Sequence, residues 1–271
     1  MNRISATSRP LVVIGDPIEH SLSPSMYNAA IAALGIDAVY IAVRTDSSAL
    51  PHLIRGLEAV GIAGNVTIPH KMAVARLLIR LTPLAKELDA VNTFWPDGGR
   101  LVGDNTDVQG VVDALNPLRP ESPWLLSGTG GGARAVAAAA RELGARLLVR
   151  SRERDRAVSF AAWARDLAVE CQVDKGGPVG TAINATPLGL RASDPRPFPS
   201  ERLQGCRAAL DLVYGAGQTG WIRECRRQGM RATDGRTMLV AQGARSFERF
   251  FPGTAAPREI MLAAVDRALG R

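Results

Sequence analysis

Four short clusters of polar side chains in the first half of the chain bring together hydroxyls, amides, one lysine and one aspartate. The clusters are Ser21-Leu22-Ser23-Pro24, Asn65-Val66-Thr67-Ile68-Pro69-His70-Lys71, Val91-Asn92-Thr93 and Asp104-Asn105-Thr106-Asp107. Taken singly, each has a structural interpretation, because Ser23 and Asp107 suit helix N-caps and Asn105-Thr106 suits a turn. Taken together, these side chains at loop positions are typical of a site for a polyhydroxylated carboxylate.

Lysine is rare in this chain, and one lysine lies inside a polar cluster. Of the 33 basic residues 30 are arginine, and the lysines are Lys71, Lys86 and Lys175. A guanidinium stays protonated in proteins, whereas an ammonium group can release and regain its proton. Lys71 is therefore the candidate for a step that needs a reversible proton carrier.

A glycine-rich segment predicts a second site. Gly128-Thr129-Gly130-Gly131-Gly132-Ala133 follows an apolar strand and opens an alanine-rich helix. Bare glycines let the backbone approach a pyrophosphate, and a helix N-terminus supplies free N–H groups. The segment predicts dinucleotide binding, and the alternative is a tight turn that holds no ligand.

The residues after the next strand bear on the choice of dinucleotide. An acidic residue there binds the ribose 2′-hydroxyl of NAD, whereas arginine accommodates the 2′-phosphate of NADP. Arg150-Ser151-Arg152 is followed by Glu153 and two more arginines. This order favours NADP, with NAD as the alternative, because Glu153 would repel a phosphate and the arginines also suit a solvated face.

The elements that must position these clusters alternate between strands and helices, which predicts an α/β fold with parallel sheets and helices on both faces. Strands are expected at 11–14, 38–43, 62–67, 90–95, 100–102, 124–126, 146–149, 181–185 and 208–213. Helices are expected from Ser23 as N-cap to 33, from about 46 to 60, and over 70–81, 83–88, 133–143, 155–167, 220–228, 237–250 and 257–269. Three prolines between Asn116 and Pro123 indicate a domain boundary.

Composition limits the class of protein. The chain has 271 residues, 46% hydrophobic and 22% charged, which is typical of a soluble globular protein. No apolar run approaches the length of a membrane helix, and Met1–Pro10 lacks a secretory pattern. His20, His52 and His70 have no metal-ligand spacing, so no metal is expected. Three cysteines without a paired pattern indicate the cytoplasm. The net charge of +7 reflects scattered arginines, which argues against nucleic acid as a partner.

The ordered motifs resemble the shikimate dehydrogenase family from about residue 11 to residue 250. The matching segments are Gly15–Pro24, Asn65–Lys71, Ala90–Thr93, Asn105–Asp107, Asn184–Gly189, Asp211–Tyr214 and Gly235–Ala244. The resemblance implies reversible hydride transfer between NADP(H) and 3-dehydroshikimate or shikimate, a step of aromatic amino acid biosynthesis. It implies a substrate domain of residues 1–110 plus 238–271, a Rossmann-type dinucleotide domain of residues 111–237, and a substrate cleft between them.

The resemblance also implies residue roles. Lys71 and Asp107 would be the catalytic pair. The substrate would be bound by Ser21, Ser23, Asn65, Thr67, Asn92, Tyr214 and Gln242. The cofactor would be bound by Gly128, Thr129, Gly130, Gly131, Gly132, Ala133, Arg150, Ser151, Arg152, Asn184, Thr186, Pro187, Val213, Gly235 and Met238. The expected assembly is a monomer or a homodimer.

Three departures from the family pattern keep an alternative open. Ser151-Arg152-Glu153 replaces the usual Asn-Arg-Thr, residues 215–222 replace a proline and leucines, and Tyr27 replaces a histidine beside Asn28. The alternative is a paralogue that acts on quinate or a related cyclitol carboxylate with NAD, or a weakly active or non-catalytic ligand-binding homologue.

Overall fold

The computed structural model describes residues 4–191, 193–215 and 217–270. Residues 1–3 and 271, with which the predicted substrate domain begins and ends, lie outside the described residues, as does Ala216. The chain divides into two compact units, the first formed by Met1–Thr106 and Gln242–Ala268 and the second by Asp107–Ala241 and Leu269–Arg271. The functional division with limits at 110 and 238 stays a prediction.

The secondary structure alternates as an α/β chain should. The strands are β1 Arg9–Gly15, β2 Ala38–Arg44, β3 Ala63–Val66, β4 Arg80–Leu81, β5 Thr93–Asp97, β6 Arg100–Asp104, β7 Trp124–Ser127, β8 Leu147–Arg150, β9 Cys171–Val173, β10 Thr181–Asn184, β11 Ala208–Asp211 and β12 Arg231–Thr233. The α-helices are α1 Ser23–Ala33, α2 Leu50–Val60, α3 Lys71–Leu77, α4 Pro83–Leu88, α5 Asp107–Leu115, α6 Gly131–Glu142, α7 Arg154–Asp166, α8 Gly220–Arg227, α9 Arg236–Phe250 and α10 Arg258–Ala268. Two 3₁₀ helices cover Asn116–Leu118 and Ser200–Leu203.

The sheet of the first unit is mixed. Its strand order is β2-β1-β3-β5-β6-β4, and β5 runs antiparallel to both β3 and β6. Gly64 in β3 has to be glycine, because a Cβ there would collide with the carbonyl oxygen of Val12 in β1. The sheet is parallel-rich but not parallel throughout, because the turn at Gly98-Gly99 folds β5 and β6 into the hairpin that the turn residues predict.

The sheet of the second unit is parallel throughout. Its order is β12-β11-β10-β7-β8-β9, and every residue of β7, β10 and β11 is buried. Such strands are covered on both faces, which explains their short, continuous apolar sequences. The chain proceeds outward from β7 through β8 to β9 and then returns to β10 on the other side of β7. This reversal is the switch point at which open parallel sheets bind ligands.

The expected end of α3 and the expected N-cap of α1 are wrong. The helix expected over 70–81 ends at Leu77, because Arg80 and Leu81 pair with β6 as strand β4. The buried residues Val74, Ala75 and Leu78 satisfy a helical period, so the periodicity extends past the true end. Ser23 is the first residue of α1 and not its N-cap, which is Leu22.

The sequence-based assignment also omits β9 and β12. Each has three residues and lies at an outer edge of the second sheet, next to only one neighbouring strand. At this length the alternation of polar and apolar residues is too brief to identify a strand.

Asp46 caps the turn before α2, since its Oδ1 accepts hydrogen bonds from the amides of Ser48 and Ala49. The N-cap residue of α2 itself is Ala49.

Candidate functional site

The polar clusters of the first unit meet at one edge of its sheet. Strands β1 and β3 are parallel, so the loops that follow them leave the sheet at the same edge. Because β5 is antiparallel to β3, Asn92 reaches this edge by preceding β5. Strand β6 is antiparallel to β5, so Asn105 and Thr106 reach it by following β6. Strand direction therefore makes segments as far apart in the sequence as those of Ser21 and Thr106 emerge at the same sheet edge.

Backbone hydrogen bonds join the loops after β1 and β3. The amide of Asp16 donates to the carbonyl oxygen of Ile68 at 3.1 Å, and the amide of Thr67 donates to that of Ile14 at 2.9 Å. A Cβ on Gly15 would lie 2.5 Å from Cγ2 of Thr67, so glycine permits this approach. The loop that carries Thr67 is thus fixed against the loop that leads to Ser21.

The side chains of Asn65, Asn92 and Gln242 belong to one buried hydrogen-bond network. Nδ2 of Asn65 donates to the carbonyl oxygen of Asn92 at 3.1 Å, and Nδ2 of Asn92 donates to Oε1 of Gln242 at 3.1 Å. These residues are 5%, 2% and 9% exposed, respectively. The structure therefore brings three predicted substrate residues together.

Thr106, which belongs to a predicted polar cluster, and Ser246, which was not predicted, extend this network. The Thr106 amide donates to Oδ1 of Asn92 at 2.8 Å, and the hydroxyls of Thr106 and Ser246 lie 3.1 Å apart. Nδ2 of Asn65 donates to Ser246 Oγ at 3.1 Å. Ser246 follows Gln242 by four positions on α9, a spacing that places both on one helix face and is the signal that identifies it.

Two stacked tyrosines, Tyr27 and Tyr40, pack beside this network. Neither was predicted as a site residue from the sequence. The hydroxyl of Tyr40 donates to Oδ1 of Asn65 at 2.7 Å, which leaves the Asn65 amide nitrogen as the group that faces Asn92 and Ser246. The rings of Tyr27 and Tyr40 stack with centroids 4.2 Å apart, and Tyr27 donates to the carbonyl oxygen of Gly243 at 3.0 Å. Burial raises the pKa of Tyr27, so its hydroxyl stays a proton donor.

Lys71 is the first residue of α3 and is half-buried. Its carbonyl oxygen accepts a hydrogen bond from the amide of Val91 at 2.9 Å, which ties its backbone to the segment that contains Asn92. The preceding residue, His70, is 1% exposed and its Nε2 lies 2.5 Å from the carbonyl oxygen of Thr45. The Val91 amide therefore fixes the carbonyl group of Lys71, and the contact with Thr45 fixes the residue that precedes it.

The structure also shows where Ser21, Ser23 and Asp107 lie and how deeply they are buried. Ser21 is half-buried in the loop before α1, and its Oγ accepts from the amide of buried Ser23 at 3.4 Å. Asp107 is the first residue of α5 and is 3% exposed. It belongs to the second unit and directly follows Thr106, the last residue of the first segment of the first unit.

The glycine-rich turn lies at the switch point of the second sheet. Gly128 has a φ of +113°, and a Cβ there would lie 2.8 Å from the carbonyl oxygen of Ala185, so only glycine fits without strain. Gly130 is the N-cap of α6, and a Cβ built on it meets no atom within 4 Å. The first helical turn, Gly131-Gly132-Ala133, presents backbone N–H groups without acidic side chains. These features fit a pyrophosphate, which needs bare backbone and a helix N-terminus.

The loop after β10 is held by a buried carboxylate. Oδ1 of Asp211 accepts from Nδ2 of Asn184 at 2.9 Å and from the amide of Val213 at 3.1 Å, and Oδ2 accepts from Thr219 Oγ1 at 2.7 Å. Asn184 in turn accepts through Oδ1 from the amide of Thr186 at 3.0 Å. Asp211 therefore joins Asn184, at the end of β10, to the loops after β10 and β11, which contain the predicted cofactor residues Thr186, Pro187 and Val213.

The pKa of Asp211 reflects this position. Burial raises it to about 6, and the nearby carboxylate of Asp234 adds to the increase. The hydrogen bonds from Thr219, Val213 and Asn184 act in the opposite direction but do not cancel the effect of burial. Asp211 thus stays a partly protonated carboxyl near pH 6.

The segment that leads into α9 lies against the end of β11. The amide of Gly235 donates to the carbonyl oxygen of Val213 at 3.0 Å, and a Cβ on Gly235 would collide with the carbonyl oxygen of Leu212. Met238 is 8% exposed and Tyr214 is half-buried. Val213 therefore adjoins both Gly235 and the 184–189 loop, since a Cβ on Gly189 would lie 4.0 Å from Cγ1 of Val213.

The four arginines between 150 and 156 differ in their surroundings. The guanidinium of Arg150 lies 6.0 Å from the ring centroid of Phe198 and close enough to Asp174 to lower the pKa of that carboxyl. Nε of Arg156 lies 2.8 Å from Oε2 of Glu153. Arg152 and Arg154 are exposed, and Ser151 is half-buried. The predicted residues Arg150 and Arg152 therefore lie in unlike environments.

Residues 4–191, 193–215 and 217–270 contain neither a membrane-spanning helix nor a cluster of metal-ligating side chains. No helix there combines the length and apolar character needed to cross a membrane. No group of three or more histidine, cysteine, aspartate or glutamate side chains in that part of the chain is arranged to hold a metal ion.

Comparison with known proteins identifies relatives of the whole chain. Residues 13–94 match the family described as the shikimate dehydrogenase substrate binding domain, and residues 235–265 match the shikimate 5'-dehydrogenase C-terminal domain. The chain is 37% identical to shikimate dehydrogenase (NADP(+)) of Thermosynechococcus vestitus, with 100% of this chain and 99% of the relative covered. It is 38% identical to the protein of that name from Anaeromyxobacter, with 93% and 94% covered.

A solved structure extends the similarity to three dimensions. Shikimate 5-dehydrogenase from Thermus thermophilus, in complex with NADP(H) and shikimate, superimposes with a TM-score of 0.86 at 34% identity. The superposition covers 96% of this chain and 99% of that one. The expected two-domain α/β fold is confirmed by these structures. The chain therefore belongs to the shikimate dehydrogenase family.

Proposed function

We propose that this chain is an oxidoreductase that interconverts 3-dehydroshikimate and shikimate with NADP(H). The observation that carries the proposal is the buried network of Asn65, Asn92 and Gln242 at the sheet edge where the Lys71 loop emerges. Three oriented amides and a lysine are what a ring with several hydroxyls, a carboxylate and a reducible carbonyl requires. The relatives described above are NADP-dependent shikimate dehydrogenases, which supports this assignment over quinate with NAD.

Lys71 is proposed to carry the proton of the reaction. NADPH, when bound, supplies the hydride that reduces the substrate carbonyl. The resulting alkoxide needs a proton, which the Lys71 ammonium donates at Nζ and recovers in the reverse direction. The hydrogen bond from the Val91 amide fixes the Lys71 backbone, so the side chain starts from a defined position.

Asp107 is proposed as the partner of Lys71. Its carboxylate would orient the ammonium and accept a hydrogen bond from a substrate hydroxyl, and it would favour the charged form of lysine against desolvation. Its burial and its place next to Thr106, whose amide is fixed by Asn92, support a defined position.

The remaining proposed residues bind and orient. Asn92 and Gln242 offer amide groups whose orientation is set by their mutual hydrogen bond, and Ser21, Ser23, Thr67 and Tyr214 supply hydroxyls. In the second unit, Gly128–Ala133 would bind the pyrophosphate, and Asn184, Thr186, Pro187, Val213, Gly235 and Met238 would line the nicotinamide side. Arg150, Ser151 and Arg152 would lie at the 2′-phosphate end.

A steady-state assay of shikimate and quinate, each with NADP and NAD, tests the proposal. We expect the highest kcat/KM for shikimate with NADP. A higher value for quinate with NAD would replace the proposed substrate and cofactor. Binding of NADP without turnover of either substrate would indicate a ligand-binding homologue.

We also propose that the protein acts in the cytoplasm as a monomer or homodimer on small molecules. Cys171, Cys206 and Cys225 are free and buried, and burial raises the pKa of Cys171 to about 11 and that of Cys225 to about 12. Cysteines that form no disulfide suit a reducing compartment. Sedimentation measurements over a range of concentrations will distinguish the two assemblies.

A further inference from the structure

Glu153 follows β8, at the position where a dinucleotide fold distinguishes NADP from NAD. Strands β7 and β8 are parallel neighbours, and the amide of Gly128 donates to the carbonyl oxygen of Arg150 at 3.0 Å. The segment after β8 therefore starts beside the glycine-rich turn. In a dinucleotide fold the adenosine ribose lies at this place, where a carboxylate binds a 2′-hydroxyl and an arginine binds a 2′-phosphate.

Glu153 does not cap the helix that it precedes. It is the N-cap residue of α7, yet its side chain accepts no hydrogen bond from the first turn. Its carboxylate instead forms the 2.8 Å ion pair with Nε of Arg156. The two side chains are 51% and 64% exposed, so a ligand at the end of β8 can reach both.

This ion pair changes the charge that a 2′-phosphate would meet. Arg150 is directed to Phe198 and Asp174, and Arg156 is neutralised by Glu153. A phosphate that engages Arg156 beside the exposed Arg152 must therefore displace the Glu153 carboxylate and also lie near that negative charge. A ribose 2′-hydroxyl faces no such competition and can donate to the carboxylate.

We propose that Glu153 is a specificity-determining residue that lowers the preference for the 2′-phosphate by competing with it for Arg156. This inference rests on the proposed dinucleotide site and refines it. The chain then discriminates less strongly between NADPH and NADH than it would with a neutral residue at 153. Removal of the carboxylate frees Arg156 for the phosphate and deprives NADH of an acceptor.

Direct binding of 2′,5′-ADP and 5′-AMP to the whole protein, measured by calorimetry, tests this inference without turnover. In Glu153→Gln we expect 2′,5′-ADP to bind about fivefold more tightly or better, and 5′-AMP to bind no more tightly than in the wild type. The ratio of kcat/KM for NADPH to that for NADH should rise in the same variant. The gain should shrink at high salt, because screening weakens exposed charges.

Asp155→Asn is the matched control, since it removes the same charge two positions away in the first turn of α7. It should leave the ratio of the two affinities within about twofold. Adding Arg156→Gln to Glu153→Gln should abolish the gain, because the gain acts through Arg156. An equal gain in both single variants, or an unchanged ratio in Glu153→Gln, would overturn the inference. If the wild type binds neither nucleotide, the proposed dinucleotide site itself fails, which is a separate result.

Discussion

His70 and Thr45 are joined by a buried hydrogen bond in which Nε2 of His70 lies 2.5 Å from the carbonyl oxygen of Thr45. A carbonyl oxygen accepts only, so His70 donates through Nε2 and its tautomer is fixed by this contact. The histidine is the N-cap residue of α3, and the next residue is Lys71. Thr45, in the loop that follows β2, therefore fixes the N-cap residue that immediately precedes Lys71, the proposed proton carrier.

His70→Phe is expected to lower both the stability and the turnover of the protein. A planar aromatic ring is retained, but the buried carbonyl oxygen of Thr45 loses its donor, which costs about 1–3 kcal/mol of unfolding free energy. Denaturant unfolding and kcat are the measurements. His52→Phe, on the exposed surface of α2, is the control and should change neither quantity. Wild-type kcat in a destabilised His70→Phe would show that the loop does not position Lys71.

Lys71→Ala is expected to lower kcat by a factor of about 10²–10⁴ while the protein stays folded, because general acid–base catalysis contributes that much. Lys71→Arg should be nearly as impaired, since a guanidinium does not release its proton. Lys86→Ala, on an exposed position of α4, controls for the loss of a lysine. Near wild-type turnover in Lys71→Ala would show that another group carries the proton.

Gly130→Ala is expected to weaken NADP binding without changing stability. In the protein alone a Cβ at position 130 meets no atom within 4 Å, so the variant should fold normally, whereas a pyrophosphate at the turn would meet the added methyl group. Gly128→Ala is the contrasting variant, because its φ of +113° and the nearby Ala185 carbonyl strain any side chain. It should lower the unfolding temperature. An unchanged NADP dissociation constant in Gly130→Ala would move the pyrophosphate away from this turn.

Asp211→Asn is expected to alter how stability depends on pH. The folded pKa of about 6 lies above the ordinary value of 3.8, so the folded protein retains a proton that the unfolded chain has lost. The contribution of Asp211 to the unfolding free energy therefore falls as pH rises from about 4 to about 6, by about 3 kcal/mol, and is level above that range. The wild type minus Asp211→Asn difference in unfolding free energy, measured from pH 4 to 8, should show this decrease.

Asp174→Asn provides a control of opposite sign. Burial acts to raise the pKa of Asp174, but the hydrogen bonds from Arg202 and the Gly176 amide outweigh it and lower the pKa. The wild type should therefore gain stability over this variant as pH rises and lose that gain as pH falls through the lowered pKa. A difference for Asp211→Asn that rises with pH would contradict the expected effect of burial.

Sequence reasoning predicted the elements that carry a long, clear pattern. The α4 limits Pro83–Leu88 agree with the expected ones because Thr82 caps the helix, with its Oγ1 accepting from the Ala85 amide, and proline follows at the first position. The edge strands β9 and β12 and the strand β4 were missed, since pairing with a neighbouring strand, and not local preference, makes two or three residues extended.

The candidate site was predicted in its components but not in its connections. Asn65, Asn92 and Gln242 belong to motifs, whereas Tyr40 and Ser246 enter the network only because the sheet and α9 bring them there. The surroundings of Arg150 depend on Phe198, which lies 48 positions away in the sequence and gives no local signal.

The discontinuity of the first unit determines the order in which the protein can be assembled on the ribosome. Tyr27 needs the carbonyl group of Gly243, and Asn65 needs the hydroxyl of Ser246, so the first 106 residues emerge without partners that are synthesised last. The second unit has nearly all of its chain in the single segment Asp107–Ala241. Domains fold as units during synthesis, so the later-emerging unit completes its core first. The amide network that is proposed to bind substrate is then among the last parts of the nascent chain to form.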